Sequence, residues 1–176
     1  GMAFAAFSLN FIFNSWLPTY VAGNFSLPLG IGGAVAAIFP AIGVVGRLSG
    51  GLVSDRFFGT RRRPIVLGSF LVLAPASVAI PFIDSVSLLL VALLVTGFLT
   101  QVGLVLLFPY VRELVANNVA ATAFAVLNTV GFLGAFSAPV ISGRLIERTG
   151  FFAAFGYAGL LAVIGFALAL TVSESV

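Results

Sequence analysis

Five long stretches of this chain carry no charged side chain, and this pattern limits the possible fold more than any other feature. Short groups of charged residues separate the stretches, which cover residues 1–46, 64–83, 85–111, 114–143 and 149–173. A membrane-crossing helix needs about 20 mostly apolar residues to span roughly 30 Å of hydrocarbon. Each stretch is therefore long enough for one such helix, and the first is long enough for two.

The overall composition excludes a water-soluble fold. The chain is 61% hydrophobic and only 7% charged, whereas a soluble domain is about 25% charged. A soluble protein of 176 residues could not bury so much apolar surface. A membrane β-barrel would show segments of about ten residues with alternating polarity, which this sequence lacks. The composition predicts an all-α integral membrane protein in a lipid bilayer.

Turn-forming residues divide the first uncharged stretch near its middle, where Gly23, Asn24, Ser26 and Pro28 follow one another closely. Such a cluster is typical of a turn between two helices. The sequence therefore predicts a single domain, residues 1–176, with six transmembrane helices. Their approximate bounds are 3–22, 28–53, 64–83, 86–110, 118–142 and 151–172.

All eight basic residues are arginines, and their distribution predicts the orientation. With six spans, both chain ends and the second and fourth turns lie on one side, which holds six arginines, against two on the other side. Positive residues accumulate on the cytoplasmic side, so we expect a plasma membrane protein with both termini in the cytoplasm. No soluble basic face is present, which argues against a nucleic-acid partner. The six arginines are Arg47, Arg56, Arg61, Arg62, Arg63 and Arg112.

Polar side chains are concentrated in the first, second, fourth and fifth predicted helices. Polar groups are expensive in hydrocarbon unless they are paired or hydrated, so these helices are expected to line a wet interior. Two alternatives stay open: the amides could hold the helices together, and the aromatic residues could anchor the membrane interface, with Arg47 extending to the cytoplasmic surface. The candidates for a substrate pathway are Asn10, Asn14, Trp16, Tyr20, Arg47, Thr100, Gln101 and Asn128.

The residues needed for covalent chemistry are missing from the sequence. It contains no cysteine and no histidine, which removes the commonest metal ligands and general base. A phosphate-binding loop with Gly-Lys is also absent. We therefore predict no enzyme, no cofactor and no metal. All acids lie near span ends, so proton coupling would require a group elsewhere, and uniport or anion exchange is also compatible. The acids are Asp55, Asp84, Glu113, Glu147 and Glu174.

The densest group of charges lies in residues 47–63, RLSGGLVSDRFFGTRRR, which hold five arginines and one acid. This stretch resembles the signature of the major facilitator superfamily of secondary transporters, G-x-L-[AS]-D-R-x-G-R-[RK]. It departs from the signature at Val53, at Thr60 and in one extra residue before the second glycine. The matching residues are Gly51, Ser54, Asp55, Arg56, Gly59, Arg61 and Arg62.

Two further stretches support the same resemblance. Residues 16–20, WLPTY, look like the seventh helix of that family, and residues 128–150 look like its eleventh helix and the following turn. The resemblance covers nearly the whole chain. It implies the C-terminal six-helix half of a transporter that moves a small solute by alternating access. The implied partner is a second six-helix half, either upstream in the same chain or in a homodimer.

The resemblance also implies roles for the charged residues. The signature turn would hold helix ends together in one transport state, with Asp55 as the acceptor, while topology alone explains Arg61 to Arg63. The WLPTY stretch and Arg47 suggest an anionic substrate. The rival interpretation is a membrane scaffold or assembly subunit that transports nothing. Its inner helices would pack dry, with Asn10, Asn14 and Gln101 paired to other side chains.

Overall fold

The computed structural model describes residues 1–57 and 61–172, without the side chains of residues 29, 52, 53, 55 and 57. The described residues form six α-helices, and no β-strand occurs among them. Short 3-10 turns cover Ile80–Phe82 and Asn117–Val119. The helices are α1 (Met2–Asn24), α2 (Leu29–Phe57), α3 (Arg63–Ala79), α4 (Val86–Leu114), α5 (Ala120–Thr149) and α6 (Phe151–Thr171).

Within the described residues, five helices, α2 to α6, are long and apolar enough to cross a membrane. The expected all-helical membrane fold is confirmed to this extent. The remaining helix, α1, has 23 residues and is therefore about 35 Å long at 1.5 Å per residue. It carries Asn10 and Asn14, and most of its large apolar side chains are buried against other helices. Its composition is that of a helix surrounded mainly by protein.

Three helices extend four or more residues beyond their expected ends. The second helix is predicted to end at residue 53, whereas α2 continues to Phe57. The sequence predicts an end at residue 110 for the fourth helix and at 142 for the fifth, whereas α4 continues to Leu114 and α5 to Thr149. The extensions of α4 and α5 contain arginine and glutamate, which are good helix formers. A charged residue ends the apolar span but leaves the backbone hydrogen bonds of the helix intact. The end of α5 comes instead at Gly150, whose φ of 84° suits glycine.

Helix α1 packs against four other helices, α2, α4, α5 and α6. Its buried face includes Phe13 and Tyr20, whose rings lie 6.1 Å and 5.1 Å from that of Phe155 in α6. Positions 11, 14, 15, 18 and 19 are all exposed and share one face at helical spacing. This exposed face of α1 includes Asn14, and it is flanked by α2 and α5.

Glycines bring α2 and α4 into close contact. A Cβ atom on Gly46 would lie 2.8 Å from the backbone oxygen of Phe98, and one on Gly97 would lie 2.6 Å from that of Phe39. Both distances are too short for a real side chain, so each helix needs glycine where the other crosses. Small residues allow such approaches in membrane bundles. The contact fixes the position of Arg47 in α2 relative to Gln101 in α4.

One end of the bundle gathers the start of α3 and the ends of α4 and α6. Arg63 donates hydrogen bonds to the backbone oxygens of Ala169 (3.1 Å) and Leu170 (2.7 Å). The Tyr110 hydroxyl donates to the oxygen of Val172 at 3.4 Å. At the opposite end, Tyr20 of α1 donates to the oxygen of Ile80 at 2.9 Å. The start of α3 therefore lies beside the ends of α4 and α6, and the end of α1 lies beside the end of α3.

Candidate solute cavity

A continuous series of hydrogen bonds joins three helices at the centre of the bundle. Arg47 of α2 donates from Nε to Oε1 of Gln101 in α4 at 2.7 Å. Gln101 donates from Nε2 to Oδ1 of Asn10 in α1, also at 2.7 Å. Asn14, one turn further along α1, donates from Nδ2 to the same Oδ1 at 3.0 Å and to the backbone oxygen of Asn10 at 2.7 Å. We call these four residues the polar relay.

The local sequence explains how the polar relay assembles. Asn10 and Asn14 are four residues apart and therefore share a helix face. A Cβ atom on Gly43 would lie 2.7 Å from Cγ of Gln101, so the absence of a side chain there admits Gln101 between the helices. Asn10 is 8% exposed and Gln101 is 4% exposed, whereas Asn14 and Arg47 are exposed. The relay thus runs from a buried centre to two open ends.

Both open ends face a cavity of about 250 Å³ between α1 and α2, which is close in size to a small-molecule pocket. A second cavity of about 230 Å³ lies beside it and shares Asn14 and Pro40. The second cavity is mainly apolar and extends towards Pro18. The first, which we call the relay cavity, is lined by Asn10, Asn14, Pro40, Gly43, Val44, Arg47 and Gln101.

The electrostatic character of the relay cavity comes from Arg47, the one charged residue among those that line it. A guanidinium stays protonated in proteins. Its partner Gln101 is neutral, and no ion pair of Arg47 occurs among the described side chains. The two terminal nitrogens of Arg47 have no hydrogen-bond partner within the described part of the chain. As far as the described residues go, the cavity wall therefore carries a positive charge that no acid compensates and two nitrogens that can still donate.

The other four pathway candidates lie away from the relay cavity. Trp16 donates to Oγ of Ser142 at 2.9 Å and so ties α1 to α5. Tyr20 is buried in the aromatic core and bonds to the backbone near α3. Thr100 is buried on the side of α4 that faces Ser69. Asn128 donates to the backbone oxygen of Phe124 in its own helix at 3.0 Å.

The signature turn is only partly described by the structure. Gly59 and the side chain of Asp55 lie outside the described residues. Ser54 is buried, and its hydroxyl donates to the backbone oxygen of Arg61 at 3.4 Å. Gly51 is half-buried, with no atom within 4 Å of the position its Cβ would take. Arg56 and the side chain of Arg61 are exposed.

Two arginines that topology alone seemed to explain have specific partners. Arg62 pairs with Glu113 of α4 at 3.3 Å, and Arg63 caps the C-terminal end of α6 through Ala169 and Leu170. We call these interactions the end clamp, because they join α3 to α4 and α6. The sequence analysis places Glu113 only among the acids that lie near the ends of spans. No local pattern links it to Arg62, which is 51 residues away.

Sequence reasoning also missed part of the cavity wall. Pro40, Gly43 and Val44 line the relay cavity, and Ser15 and Thr19 share the exposed face of α1 with Asn14. The helical spacing of positions 14, 15 and 18 was an available signal. The inward position of Gly43 had no such signal, because it depends on where α4 crosses α2.

Comparison with known proteins gives a consistent result along the whole chain. The family model described as Major Facilitator Superfamily matches residues 1–175. The hexuronate transporter of Bacillus subtilis (strain 168) is 31% identical over an alignment of 180 positions, which covers 92% of this chain and 41% of that protein. The probable galactarate/D-glucarate transporter GudP of Pseudomonas putida is 25% identical over 150 residues, covering 81% of this chain and 32% of that protein.

A more distant relative and a solved structure agree with this result. The probable nitrate transporter NarT of Staphylococcus aureus (strain JH9) is 24% identical over 135 residues, covering 77% of this chain and 34% of that protein. The crystal structure of the POT family transporter PepTSo superposes with a TM-score of 0.80 and 22% identity, over 96% of this chain and 35% of that one. At this identity the superposition shows the fold alone. The chain spans well under half the length of these relatives.

Proposed function

Because the chain belongs to the major facilitator superfamily, we propose that it forms the C-terminal six-helix half of a secondary transporter for a small anion. The second half lies upstream in the same polypeptide or in a second copy. In this family type, two halves rock against each other around a site near the middle of the membrane. The relay cavity is the part of that site contributed by this half.

The observation that carries the anion proposal is the state of Arg47. Its guanidinium lines a cavity, its bonded partner is a neutral amide, and its terminal nitrogens are free among the described residues. A planar guanidinium binds carboxylates and similar oxyanions through two parallel hydrogen bonds. An open positive charge next to a cavity therefore favours an anion over a neutral solute or a cation.

The names of the relatives support the same substrate class. They describe transporters of hexuronate, of galactarate or D-glucarate, and of nitrate, and each of these solutes is an anion with planar groups of oxygen atoms. Their identities of 24–31% do not select one of them. The proposed substrate is accordingly a small anion of this kind.

The proposed topology has six spans, including α1, with both termini in the cytoplasm and the protein in the plasma membrane. The length of α1 and its enclosure by α2, α4, α5 and α6 support its role as the sixth span. The larger group of arginines lies at the end that contains the 2–3 turn, and the positive-inside rule assigns that end to the cytoplasm.

The signature turn is proposed to act as the conformational gate, with Asp55 as the acceptor that holds helix ends together in one transport state. Its support is the resemblance of residues 51–62 to the family signature. Asp55→Asn in the complete protein should lower the uptake rate without changing the amount of protein inserted. Uptake equal to that of the native protein would remove Asp55 from the gate.

One observation favours the rival interpretation, a scaffold without transport activity. Asn10, Asn14 and Gln101 are bonded to other side chains, which a dry bundle would require. A dry bundle would not, however, leave Arg47 and Asn14 exposed beside a cavity of about 250 Å³. The second observation supports transport over a scaffold, because an exposed charge and a polar side chain beside a cavity are what an anion site requires.

The test is uptake into vesicles that contain the complete protein. The solutes are nitrate, D-glucuronate and D-glucarate, with D-glucose as the neutral control and vesicles without protein as the background. Saturable uptake of at least one anion, with none of glucose, is expected. Absence of saturable anion uptake in either direction of an imposed gradient would favour the scaffold.

A further inference from the structure

We propose that Gln101 is a positioning residue that determines the anion selectivity of the relay cavity. It holds the guanidinium of Arg47 by Nε and leaves the charge uncompensated. This inference rests on the proposed function and adds to it a residue that does not itself need to touch the solute. The predicted ligand group is a planar monoanion, a carboxylate or nitrate, bound end-on by the two terminal nitrogens of Arg47.

The direction of every hydrogen bond in the polar relay is fixed from one end. Asn14 donates to the backbone oxygen of Asn10 at 2.7 Å, and a carbonyl oxygen can only accept. The side-chain nitrogen of Asn14 therefore faces Asn10, and the Asn10 side chain must present its oxygen in return, at 3.0 Å. That same oxygen lies 2.7 Å from the Gln101 amide, so Gln101 must present its nitrogen there.

The other end of the relay requires the same direction. A guanidinium has donors and no acceptor, so Gln101 must present its oxygen to Nε of Arg47, at 2.7 Å. Amide nitrogen and oxygen are normally assigned only from such networks. Here a backbone carbonyl at one end and an arginine at the other give the same orientation. Only a side chain that accepts at one atom and donates at the other completes the series.

The position of the bond on Arg47 determines which edge remains for a ligand. A carboxylate can approach a guanidinium along the edge that includes Nε or along the edge formed by the two terminal nitrogens. Gln101 occupies Nε, and the terminal nitrogens have no partner among the described residues. The end-on edge is therefore the free one, and it lies on the wall of the relay cavity.

The neutrality of Gln101 is the second part of the argument. A carboxylate at this position would form an ion pair with Arg47 and compensate the charge that attracts the solute. Ionised glutamate would also place an oxygen against Oδ1 of Asn10, which is already fixed as an acceptor. Protonated glutamate, by contrast, has one donor and one acceptor and reproduces the glutamine pattern.

Gln101→Glu therefore tests the requirement for a neutral partner of Arg47. Among the residues that line the relay cavity from α1, α2 and α4, Arg47 is the one charged group, so the new carboxyl would face a permanent positive charge that favours its ionised form. Uptake of nitrate and D-glucuronate by the complete protein is measured at pH 7.5 and pH 5 and expressed relative to the native protein at the same pH. This ratio removes any pH dependence of the native transport cycle.

At pH 7.5 we expect the apparent KM of Gln101→Glu for the anion to rise about tenfold or more, since the new carboxylate competes with the anion for the charge of Arg47. At pH 5 the ratio should stay raised, because glutamate is mostly ionised at that pH and the adjacent guanidinium favours its ionised form further. Gln101→Met, which has a similar volume and can neither donate nor accept strongly, should raise KM equally at both pH values. Gln101→Met also tests the role of Gln101 if the glutamate variant does not insert into the membrane.

The outcomes separate this inference from the proposed function. If the native protein takes up none of the anions, both are overturned. Suppose that the native protein does take up an anion. Only the role of Gln101 is then overturned if the KM of Gln101→Glu equals the native KM at pH 7.5, or if the KM of Gln101→Met equals it at both pH values. A loss in Gln101→Glu that disappears at pH 5 would contradict the proposed pairing of the new carboxylate with Arg47.

Discussion

The polar relay and the end clamp use the same residue type for opposite purposes. In the end clamp, Arg62 pairs with an acid and Arg63 caps the negative end of α6, so each charge has a compensating partner. In the relay, Arg47 bonds to a neutral amide and faces a cavity. The comparison teaches that the partner of an arginine, rather than its presence, separates a structural role from a binding role.

The largest effect is expected at Arg47. Arg47→Gln removes the open charge and should lower kcat/KM for anion uptake by about 100-fold, the order of magnitude for loss of a charged binding partner. Arg47→Lys retains the charge without the planar fork and should be intermediate. Arg148→Gln, an exposed arginine at the other end of the bundle, is the matched control and should resemble the native protein. Equal losses at positions 47 and 148 would contradict the comparison.

A smaller effect is expected when the relay is disturbed without changing its residues. In Gly43→Ala, the new Cβ would lie 2.7 Å from Cγ of Gln101, so the flexible glutamine must move and its bond to Arg47 weakens. We expect KM for the anion to rise about fivefold, the equivalent of one neutral hydrogen bond.

Gly33→Ala is the control for this change, because Gly33 lies in the same helix and has no atom within 4 Å of its Cβ position. It should leave KM unchanged. An unchanged KM in Gly43→Ala as well would show that the orientation of Gln101 has no influence on binding.

The end clamp should respond in stability and not in affinity. Arg63→Gln removes charged donors from the C-terminal carbonyls of α6, which should cost about 1–2 kcal/mol of folding free energy. The expected result is a lower melting temperature of the purified protein with an unchanged KM. A raised KM at native melting temperature would mean that the clamp takes part in binding.

The smallest effect is expected at the exposed ion pair of the clamp. Glu113 is 45% exposed and Arg62 is 13% exposed, and pairs of this kind contribute at most about 1 kcal/mol. Glu113→Gln should lower the melting temperature slightly in low salt, and the difference should shrink in high salt because mobile ions screen the pair. A loss that does not depend on salt would indicate packing rather than charge.

The sequence predicts the elements of the fold better than their ends. Uncharged stretches identify where helices cross hydrocarbon, because burial of charge in lipid is costly. The same rule fails at Leu114 and Thr149, since helices continue into the interface where charges are hydrated. The small residue Gly46 indicates a close helix contact, but only the structure identifies α4 as the partner.

The candidate site was predictable only in its local part. The spacing of Asn10 and Asn14 gives a shared helix face, and Arg47 stands out as a charge within a helix. That Gln101 joins them depends on packing between residues 54 and 91 positions apart. Tyr20 is also a polar residue of α1, yet its hydroxyl bonds to the backbone oxygen of Ile80, 60 residues away. Composition cannot distinguish these two environments, because both satisfy a buried polar group.

The most direct test of the account measures ligand binding to the purified complete protein through the shift in its melting temperature. The native protein is compared with Arg47→Gln. Nitrate, D-glucuronate and D-glucarate are compared with D-glucose at equal ionic strength. A ligand that binds only the folded protein raises its stability in proportion to RT ln(1 + [L]/Kd). The account predicts that at least one anion stabilises the native protein, that glucose does not, and that Arg47→Gln loses the effect. Equal stabilisation of both proteins by the anion would contradict it.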